Sequence, residues 1–226
     1  IRKEGIFPIG KMNINMKKFD GYMRGINLGG WLSQCAEYSE KHYSEFILEK
    51  DIKVIAGWGL DHVRLPIDYN VIEAEDGTPD KNGYRHIDDC VEWCKKHGLN
   101  LILDVHRTKG FSFDNNPDDN IMFGNAELEE RFINLWKHFS ARYGKYSFVS
   151  FELLNEIVEQ DSTRWNSLAS RAITEIRKNA PLELPHVMLL FDDIKDTVFS
   201  YLDSNKTKFE KLYDFNMTRP LEQEKR

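Results

Sequence analysis

The amino-acid sequence predicts an α/β protein built as a (β/α)8 barrel of the TIM-barrel class. Short apolar runs alternate with longer amphipathic runs, which is typical of parallel strands covered by helices. The first strand-to-helix turn contains GINLGGW and lacks the G-x-G-x-x-G fingerprint of dinucleotide-binding sheets. Polar residues follow several different strands, as they do in barrel enzymes. These three observations favour the barrel over a doubly wound open sheet.

The predicted strands are short, apolar and bounded by turns or polar residues. They span residues 21–28, 61–66, 99–106 and 147–156. The predicted helices are longer and carry apolar residues three and four positions apart. They span residues 41–59, 85–98, 125–144 and 162–179. The first two helices run into a glycine, which is a common stop signal. Four β-α units therefore follow one another along the chain.

We expect a single domain over residues 1–226, with an atypical tail at residues 180–226. A barrel needs eight β-α units and typically ~250 residues, whereas four or five units are visible here. Three explanations stay open: omitted segments, a fragment or shortened variant, or an inserted subdomain with further strands beyond it. A complete barrel is expected to be monomeric. An incomplete one would expose strand edges, so we expect it to self-associate. We also expect it to be catalytically inactive, because part of the site would be missing.

Composition and charge argue against several classes of partner. Hydrophobic residues make up 41% and charged residues 30%, which is ordinary for a soluble globular protein. The net charge of −6 argues against nucleic acids and anionic membranes, because both require a basic face. No apolar run approaches the ~20 residues that cross a bilayer. The N-terminus lacks the apolar core of a signal peptide, so we expect that any export signal was removed or never existed. We expect an extracellular mature form, with a cytoplasmic location as the alternative.

The cysteines and most tryptophans are expected to be core residues. Cys90 and Cys94 lie four positions apart on a predicted helix, without nearby histidines, which is a poor zinc signal. Free cysteine prefers burial, so both are predicted to be small packing residues. The tryptophans of the predicted helices fall at core spacing: Trp58, Trp93 and Trp136. No metal site is predicted.

The loop at residues 107–124 is long and rich in turn-forming residues. Long loops within compact domains tend to be functional. Its aromatic residues Phe111 and Phe113 offer broad apolar faces for stacking on a ligand, although packing is the commoner role of such residues. Its three aspartates lack the ordered spacing of a calcium loop, which favours a solvated loop: Asp114, Asp118 and Asp119.

The segment SFVSFELLNE ends in Asn155 and Glu156 and carries the clearest chemistry. At the mouth of an apolar strand, partial desolvation raises the pKa of a carboxyl group such as Glu156, which suits a general acid. The amide of Asn155 offers a hydrogen bond to a sugar 2-hydroxyl. Arg64 and His106 end other strands. Arginine orients carboxylates through its bidentate fork, and histidine hydrogen-bonds substrates or neighbouring side chains.

Glu152 shares a strand face with Glu156 and is the first candidate for a second catalytic carboxylate. Four residues of strand span ~13 Å. The two carboxyl groups of retaining glycosidases stand ~5–5.5 Å apart, and those of inverting ones ~6.5–9.5 Å apart. Glu152 is therefore too deep for that role, and we expect it to pair low in the barrel with Arg64 or another cation.

Four ordered motifs resemble glycoside hydrolase family 5, and within it the clostridial-type endo-β-1,4-glucanases, or cellulases. They are MRGINLGGWL, GLDHVRLPIDYN, GLNLILDVHR and FELLNE followed by DSTRWN. The resemblance runs from about residue 20 to residue 179. It implies a (β/α)8 barrel, retaining hydrolysis of β-linked glucans or mannans, a polysaccharide partner and no cofactor.

The resemblance also implies roles for individual residues. Glu156 would be the general acid/base, and Asn155 would contact the 2-hydroxyl. Arg64 of HVRLP and His106 of LDVH would lie beside the reacting sugar. Trp31, near the end of the first strand, would line the cleft.

Two features depart from the family pattern. Ile157 stands where the family usually has proline, which affects loop stiffness more than chemistry. The family's nucleophile is a glutamate on the seventh strand, typically within Gly-Glu-Phe-Gly, and no such pattern follows residue 179. The sequence thus predicts a retaining endo-β-1,4-glucanase whose nucleophile it does not identify. A β-mannanase, a β-1,3-glucanase and a non-catalytic glycan-binding or assembly fragment stay open.

Overall fold

A computed structural model of the chain describes residues 21–114, 120–159, 161–180 and 187–188. Its strands are β1 (Gly25–Asn27), β2 (His62–Asp68), β3 (Asn100–Arg107), β4 (Val149–Glu152) and β5 (Val187–Met188). Its helices are α1 (Glu40–Glu45), α2 (Glu49–Gly57), α3 (Tyr69–Ile72), α4 (Lys81–His97), α5 (Ala126–Tyr143) and α6 (Ser162–Asn179).

All strands in the described part run parallel, in the order β1-β2-β3-β4-β5. A doubly wound sheet reverses its strand order at a switch point, whereas a barrel adds each strand beside the previous one. The consecutive order is therefore that of one side of a (β/α)8 barrel.

The register separates an apolar sheet face from a polar one. Leu65, Leu103 and Phe151 lie side by side in neighbouring strands and are fully buried. The ring of Phe151 packs against Trp136 of α5 at 5.6 Å between ring centroids, so this row faces the helices. Because side chains alternate along a strand, the next row faces the barrel interior. Asp104 and Glu152 are neighbours in that interior row.

The predicted helix at residues 41–59 is in fact two helices. α1 ends at Glu45, and α2 begins at Glu49. Between them Leu48 has an extended backbone, and its N–H donates to the Asp51 carboxylate at 2.9 Å. A side chain that captures a backbone N–H in this way favours a new helix start over continuation.

Two predicted strand ends also differ from the structure. β2 continues through Pro66 to Asp68. The backbone of β2 forms hydrogen bonds with the chain after β1 at Arg64 and at Asp68. Pro66 lies between these two residues, at a position where its missing N–H breaks no such bond. β4 is short and ends at Glu152, which leaves Asn155 and Glu156 in the loop beyond it.

The predicted core is partly correct. Cys90, Cys94 and Trp136 are fully buried, as expected. The prediction for Trp58 is wrong: it caps α2 and is 64% exposed. Trp93 is half-buried and stacks on a core tryptophan. In the part of the chain that the structure describes, no helix is long and apolar enough to span a bilayer.

Candidate active site

Arg64 of β2 is the centre of a buried polar network at the interior face of the sheet. Its Nε and Nη2 donate to the two carboxylate oxygens of Glu152 at 2.7 and 2.5 Å. Nη2 also lies 2.8 Å from Asp104 Oδ2 and donates to Asn155 Oδ1 at 2.9 Å. Nη1 reaches Asn27 at 3.3 Å. The pairing that we expected between Arg64 and Glu152 is therefore present, with the bidentate geometry typical of arginine.

Asp104 joins this network to His106 and was not singled out by the sequence analysis. Nδ1 of the His106 ring lies within hydrogen-bond distance of Asp104 Oδ2, at 2.7 Å. Asp104 is fully buried, and its second oxygen has no hydrogen-bond partner among the described residues. If Asp104 is a carboxylate, it can only accept this hydrogen bond, so Nδ1 donates and Nε2 of a neutral ring is left as an acceptor. The signal that could have found Asp104 is a carboxylate inside the apolar run LILDVH.

The charges in this network shift the pKa values of its members. Burial would lower the pKa of Arg64, but the hydrogen bond with Glu152 and the charges of Asp104 and Glu156 outweigh it, so the pKa lies above its ordinary value. Burial raises the pKa of Asp104, opposed by its contacts with His106 and Arg64. Asp104 and Glu152 are thus two buried carboxyl groups that share the single positive charge of Arg64. This arrangement favours retention of a proton on the pair.

Glu152 is expected to hold a proton over a wide pH range. Burial raises its pKa from 4.5 to about 7, the Arg64 hydrogen bond opposes this, and the charge of Asp104 adds to it. Because the pKa is raised in the folded protein, the resulting stabilisation is fully present below pH 4.5 and is lost as the pH rises through about 7. Carbon-13 NMR of the carboxyl groups should show this midpoint, with Glu152→Gln identifying the signal. A midpoint at an ordinary glutamate value contradicts it.

Asn155 is oriented by the network. A guanidinium only donates hydrogen bonds, so the oxygen of the amide must face Arg64, and it does. The amide nitrogen is buried and has no partner among the described residues. A buried donor without a partner is costly unless a ligand or water satisfies it. Asn155, the residue before Glu156, therefore has an NH2 group whose two N–H donors are unsatisfied among the described residues.

Glu156 lies at the mouth of the network, but its setting differs from the prediction. It is exposed among the described residues, so these do not provide the desolvation that we expected. The buried carboxyl is Glu152 instead. The backbone of Glu156 has φ of +41°, in the left-handed region that L residues seldom adopt. Such strain is found more often at functional sites than elsewhere.

The prediction that Trp31 lines the cleft is wrong for the described structure. Trp31 is 0% exposed, and its indole N–H donates to the Tyr43 carbonyl at 2.8 Å. Its ring stacks on Trp93 with centroids 6.0 Å apart and meets the edge of His86. A ring enclosed in this way packs the core and has no free face for a sugar.

The long loop after β3 has mixed roles. Phe111 is buried and packs edge-on against Phe123 with centroids 5.5 Å apart, so it is a core residue. Phe113 is half-buried, and its ring meets that of His106 at 5.1 Å. Asp114 pairs with Arg107. The other two aspartates of this loop, Asp118 and Asp119, lie outside the described residues.

Within the same described ranges, no group of three or more His, Cys, Asp or Glu side chains is arranged to hold a metal ion.

Comparisons with known proteins decide the family. The profile of Cellulase (glycosyl hydrolase family 5) matches residues 19–190. The chain belongs to glycosyl hydrolase family 5. It is 42% identical over 208 residues to Cellodextrinase A of Ruminococcus flavefaciens, a match that covers 91% of this chain and 61% of that protein. It is 41% identical over 189 residues to Endoglucanase C of Acetivibrio thermocellus, covering 76% of this chain and 55% of that protein.

Family membership and solved structures confirm the predicted barrel class. The crystal structure of a glycoside hydrolase aligns with a TM-score of 0.60 and 26% identity, over 70% of this chain and 50% of that one. This chain thus spans about half to three fifths of the length of the family members it matches. The family predicted from the four sequence motifs is the family found.

Proposed function

We propose that this chain carries the acid/base side of a retaining glycoside hydrolase site that acts on β-1,4-glucans. The orientation of the Asn155 amide is the observation that supports the proposal most directly. Arg64 only donates hydrogen bonds, so the Asn155 oxygen must face it, and the NH2 group of Asn155, the residue before Glu156, has no partner among the described residues. A fixed donor next to a carboxyl group suits a sugar hydroxyl next to the bond that is cleaved.

Glu156 would donate its proton to the glycosidic oxygen as the bond from that oxygen to the anomeric carbon breaks. A second carboxylate would attack the anomeric carbon from the opposite face, and the Glu156 carboxylate would then take a proton from the incoming water. Glu152 and Asp104 do not suit that second role, because both are fully buried and held by Arg64. The nucleophile is not identified among the described residues.

His106 and Arg64 would position the substrate and the carboxylates. Nε2 of His106 is the ring atom left to accept a hydrogen bond from a sugar hydroxyl. Arg64 holds Asn155 and Glu152 in place, and its positive charge acts on Glu156. A rigid supporting network of this kind keeps reacting groups within the narrow range of productive geometries.

The choice of a β-1,4-glucan over the two alternative substrates is supported by the relatives. The two named above, at 41% and 42% identity, are called an endoglucanase and a cellodextrinase. The test is to incubate the purified chain with cellohexaose, laminarihexaose and mannohexaose and to analyse the products. Cleavage fastest on cellohexaose supports the proposal. Faster cleavage of either alternative would reassign the substrate.

A second experiment, a reaction in the presence of azide, tests whether the acid/base side of the site functions without a nucleophile from the protein. Azide can replace a missing nucleophile, because it attacks the anomeric carbon of an aryl β-cellobioside while the phenol leaves with a proton or as phenolate. Formation of an α-glycosyl azide without hydrolysis would show a site that lacks its nucleophile. Binding of oligosaccharides with neither reaction would instead support a non-catalytic glycan-binding fragment.

The Asn155→Ala variant should lower the turnover rate of a cello-oligosaccharide about 10- to 100-fold while its binding changes much less. The 2-hydroxyl contact strengthens in the transition state, so its loss is felt chiefly in the rate. Steady-state kinetics and a separate binding measurement check this. Asn134→Ala, an exposed asparagine of α5, is the matched control and should behave as the unchanged chain. An Asn155 variant with weaker binding and an unchanged rate contradicts the role.

A further inference from the structure

The loop after β4 holds Glu156 in a backbone conformation that is unfavourable for an L residue. In the part of the chain that the structure describes, Gln34 and Glu156 are the residues other than glycine with a positive φ, at +52° and +41°. In this region the side chain of an L residue conflicts sterically with the backbone. Such a conformation persists only where the surrounding structure enforces it.

At Gln34 the enforcing contact is a hydrogen bond. Its backbone N–H donates to the buried carboxylate of Asp68 at 3.1 Å. Glu156 has no equivalent contact, because neither its backbone N–H nor its carboxyl group makes a hydrogen bond with another described residue. The place of the Glu156 carboxyl group is therefore set by the residues on either side of it.

The residue before Glu156 is fixed by two hydrogen bonds. The backbone N–H of Asn155 donates to the Val105 carbonyl of β3 at 3.2 Å, and its side-chain oxygen accepts from Arg64 at 2.9 Å. Asn155 is also buried. The backbone that enters Glu156 is therefore not free to turn and relieve the strain.

The residues after Glu156 are held by apolar packing. Ile157 is 8% exposed and belongs to the hydrophobic core, and the half-buried Val158 packs against that core. Rotation about the N–Cα bond of Glu156 moves its side chain and Ile157 together, because both lie beyond that bond. A return of φ to an ordinary value would therefore pull Ile157 from the core, and the loss of buried apolar surface opposes this movement.

The enforced conformation places the Glu156 carboxyl group within electrostatic reach of Arg64. The charge of Glu156 contributes to the raised pKa of the Arg64 guanidinium. A change of φ would swing the Glu156 side chain about the fixed Asn155 and alter its position relative to both neighbours. Proton transfer to a leaving group requires a narrow range of geometries, so such a swing would impair it.

We propose that Ile157 is a positioning residue for the proton donor: its burial in the core keeps Glu156 in the left-handed conformation and so fixes the direction of the carboxyl group. The inference rests on the proposed function, because the direction of Glu156 matters for cleavage only if Glu156 donates a proton. It assigns the stiffness of this loop to one buried apolar side chain.

Nuclear magnetic resonance tests the conformational part. A positive φ brings the amide proton of a residue close to its own Hα, which gives a strong nuclear Overhauser effect between them. Glu156 should show this effect in the unchanged chain and in Ile157→Val, and should lose it in Ile157→Ala, which removes most of the buried side chain. Ile55→Ala is the matched control. Ile55 of α2 is 6% exposed, so its loss also weakens the core, but Glu156 should stay as it is.

Phenol release from aryl β-cellobiosides in the presence of azide tests the consequence for proton donation. Ile157→Ala should lower the rate about 10- to 100-fold with phenyl β-cellobioside, whose leaving group needs a proton. With a dinitrophenyl β-cellobioside, whose phenol leaves without a proton, the loss should be less than about 3-fold. Ile157→Val should keep the ratio of the two rates. A role limited to stability would lower both rates equally, as Ile55→Ala is expected to do.

Where Ile157→Ala does not fold, Ile157→Thr replaces it and is compared with Ile157→Val, since threonine has the shape of valine but carries a hydroxyl group. A strong effect at Glu156 that persists in the alanine or threonine variant overturns the inference, and so does an unchanged ratio of the two rates. The proposed function still stands in that case if Glu156→Gln changes the ratio, and fails if it does not. If the unchanged chain releases neither phenol, the proposed function fails and the resonance comparison alone decides whether Ile157 sets the conformation of Glu156.

Discussion

Where both carboxylates of the proposed site are present, replacing Glu156 with glutamine is expected to lower cleavage of cello-oligosaccharides by about 10²- to 10⁴-fold, with oligosaccharide binding largely retained. The loss is large because a poor leaving group must be protonated as it departs, and glutamine has no proton to give. An aryl β-cellobioside with an acidic phenol leaves without such help. Its first step, measured as the burst of released phenol, should therefore be affected much less.

Glu159→Gln is the matched control for this experiment. Glu159 lies in the same loop, is half-buried, and accepts a hydrogen bond from the Asp161 backbone N–H at 2.8 Å. The substitution removes the same charge three residues away and should leave both substrates almost unaffected. If Glu156→Gln slows the two substrate types equally, Glu156 has a positioning role and the acid assignment is wrong.

Strand-end positions were the most predictable part of the site. In parallel strands all carboxyl ends meet at one edge, so residues far apart in sequence converge once the strands are recognised. Arg64, His106 and Asn155 accordingly belong to one network, and Glu152 pairs with Arg64, one of the cations expected for it.

Burial was less predictable, because it depends on packing partners that a local pattern does not reveal. Trp31 follows a strand end, yet α1 and α4 enclose it through Tyr43 and Trp93. Trp58 has the spacing of a core residue but stands where α2 ends, so its side chain points outward. Asp104 was overlooked for a related reason. A charged residue in a strand becomes informative only when its partners on neighbouring strands are known.

Replacing Arg64 with alanine is expected to cost about 3–5 kcal/mol of unfolding free energy near neutral pH. The substitution leaves Glu152 and Asp104 buried without their shared cation, and an uncompensated buried charge is the expensive part of a broken ion pair. Urea denaturation measures the loss. The loss should grow as the pH rises above about 7, where Glu152 is charged in the unchanged chain, and should be smaller below that pH, where Glu152 holds a proton even beside Arg64.

Three further variants isolate the cause of this loss. Arg64→Lys keeps the charge but not the bidentate fork, and should cost less than Arg64→Ala. Glu152→Gln combined with Arg64→Ala should recover part of the loss, because one of the orphaned charges is gone. Arg85→Ala is the control: its pair with Glu40 is exposed at 57% and 56%, so it should change stability by less than about 1 kcal/mol. A loss for Arg64→Ala that is as small as the control, or that does not depend on pH, would show that solvent already compensates these carboxylates.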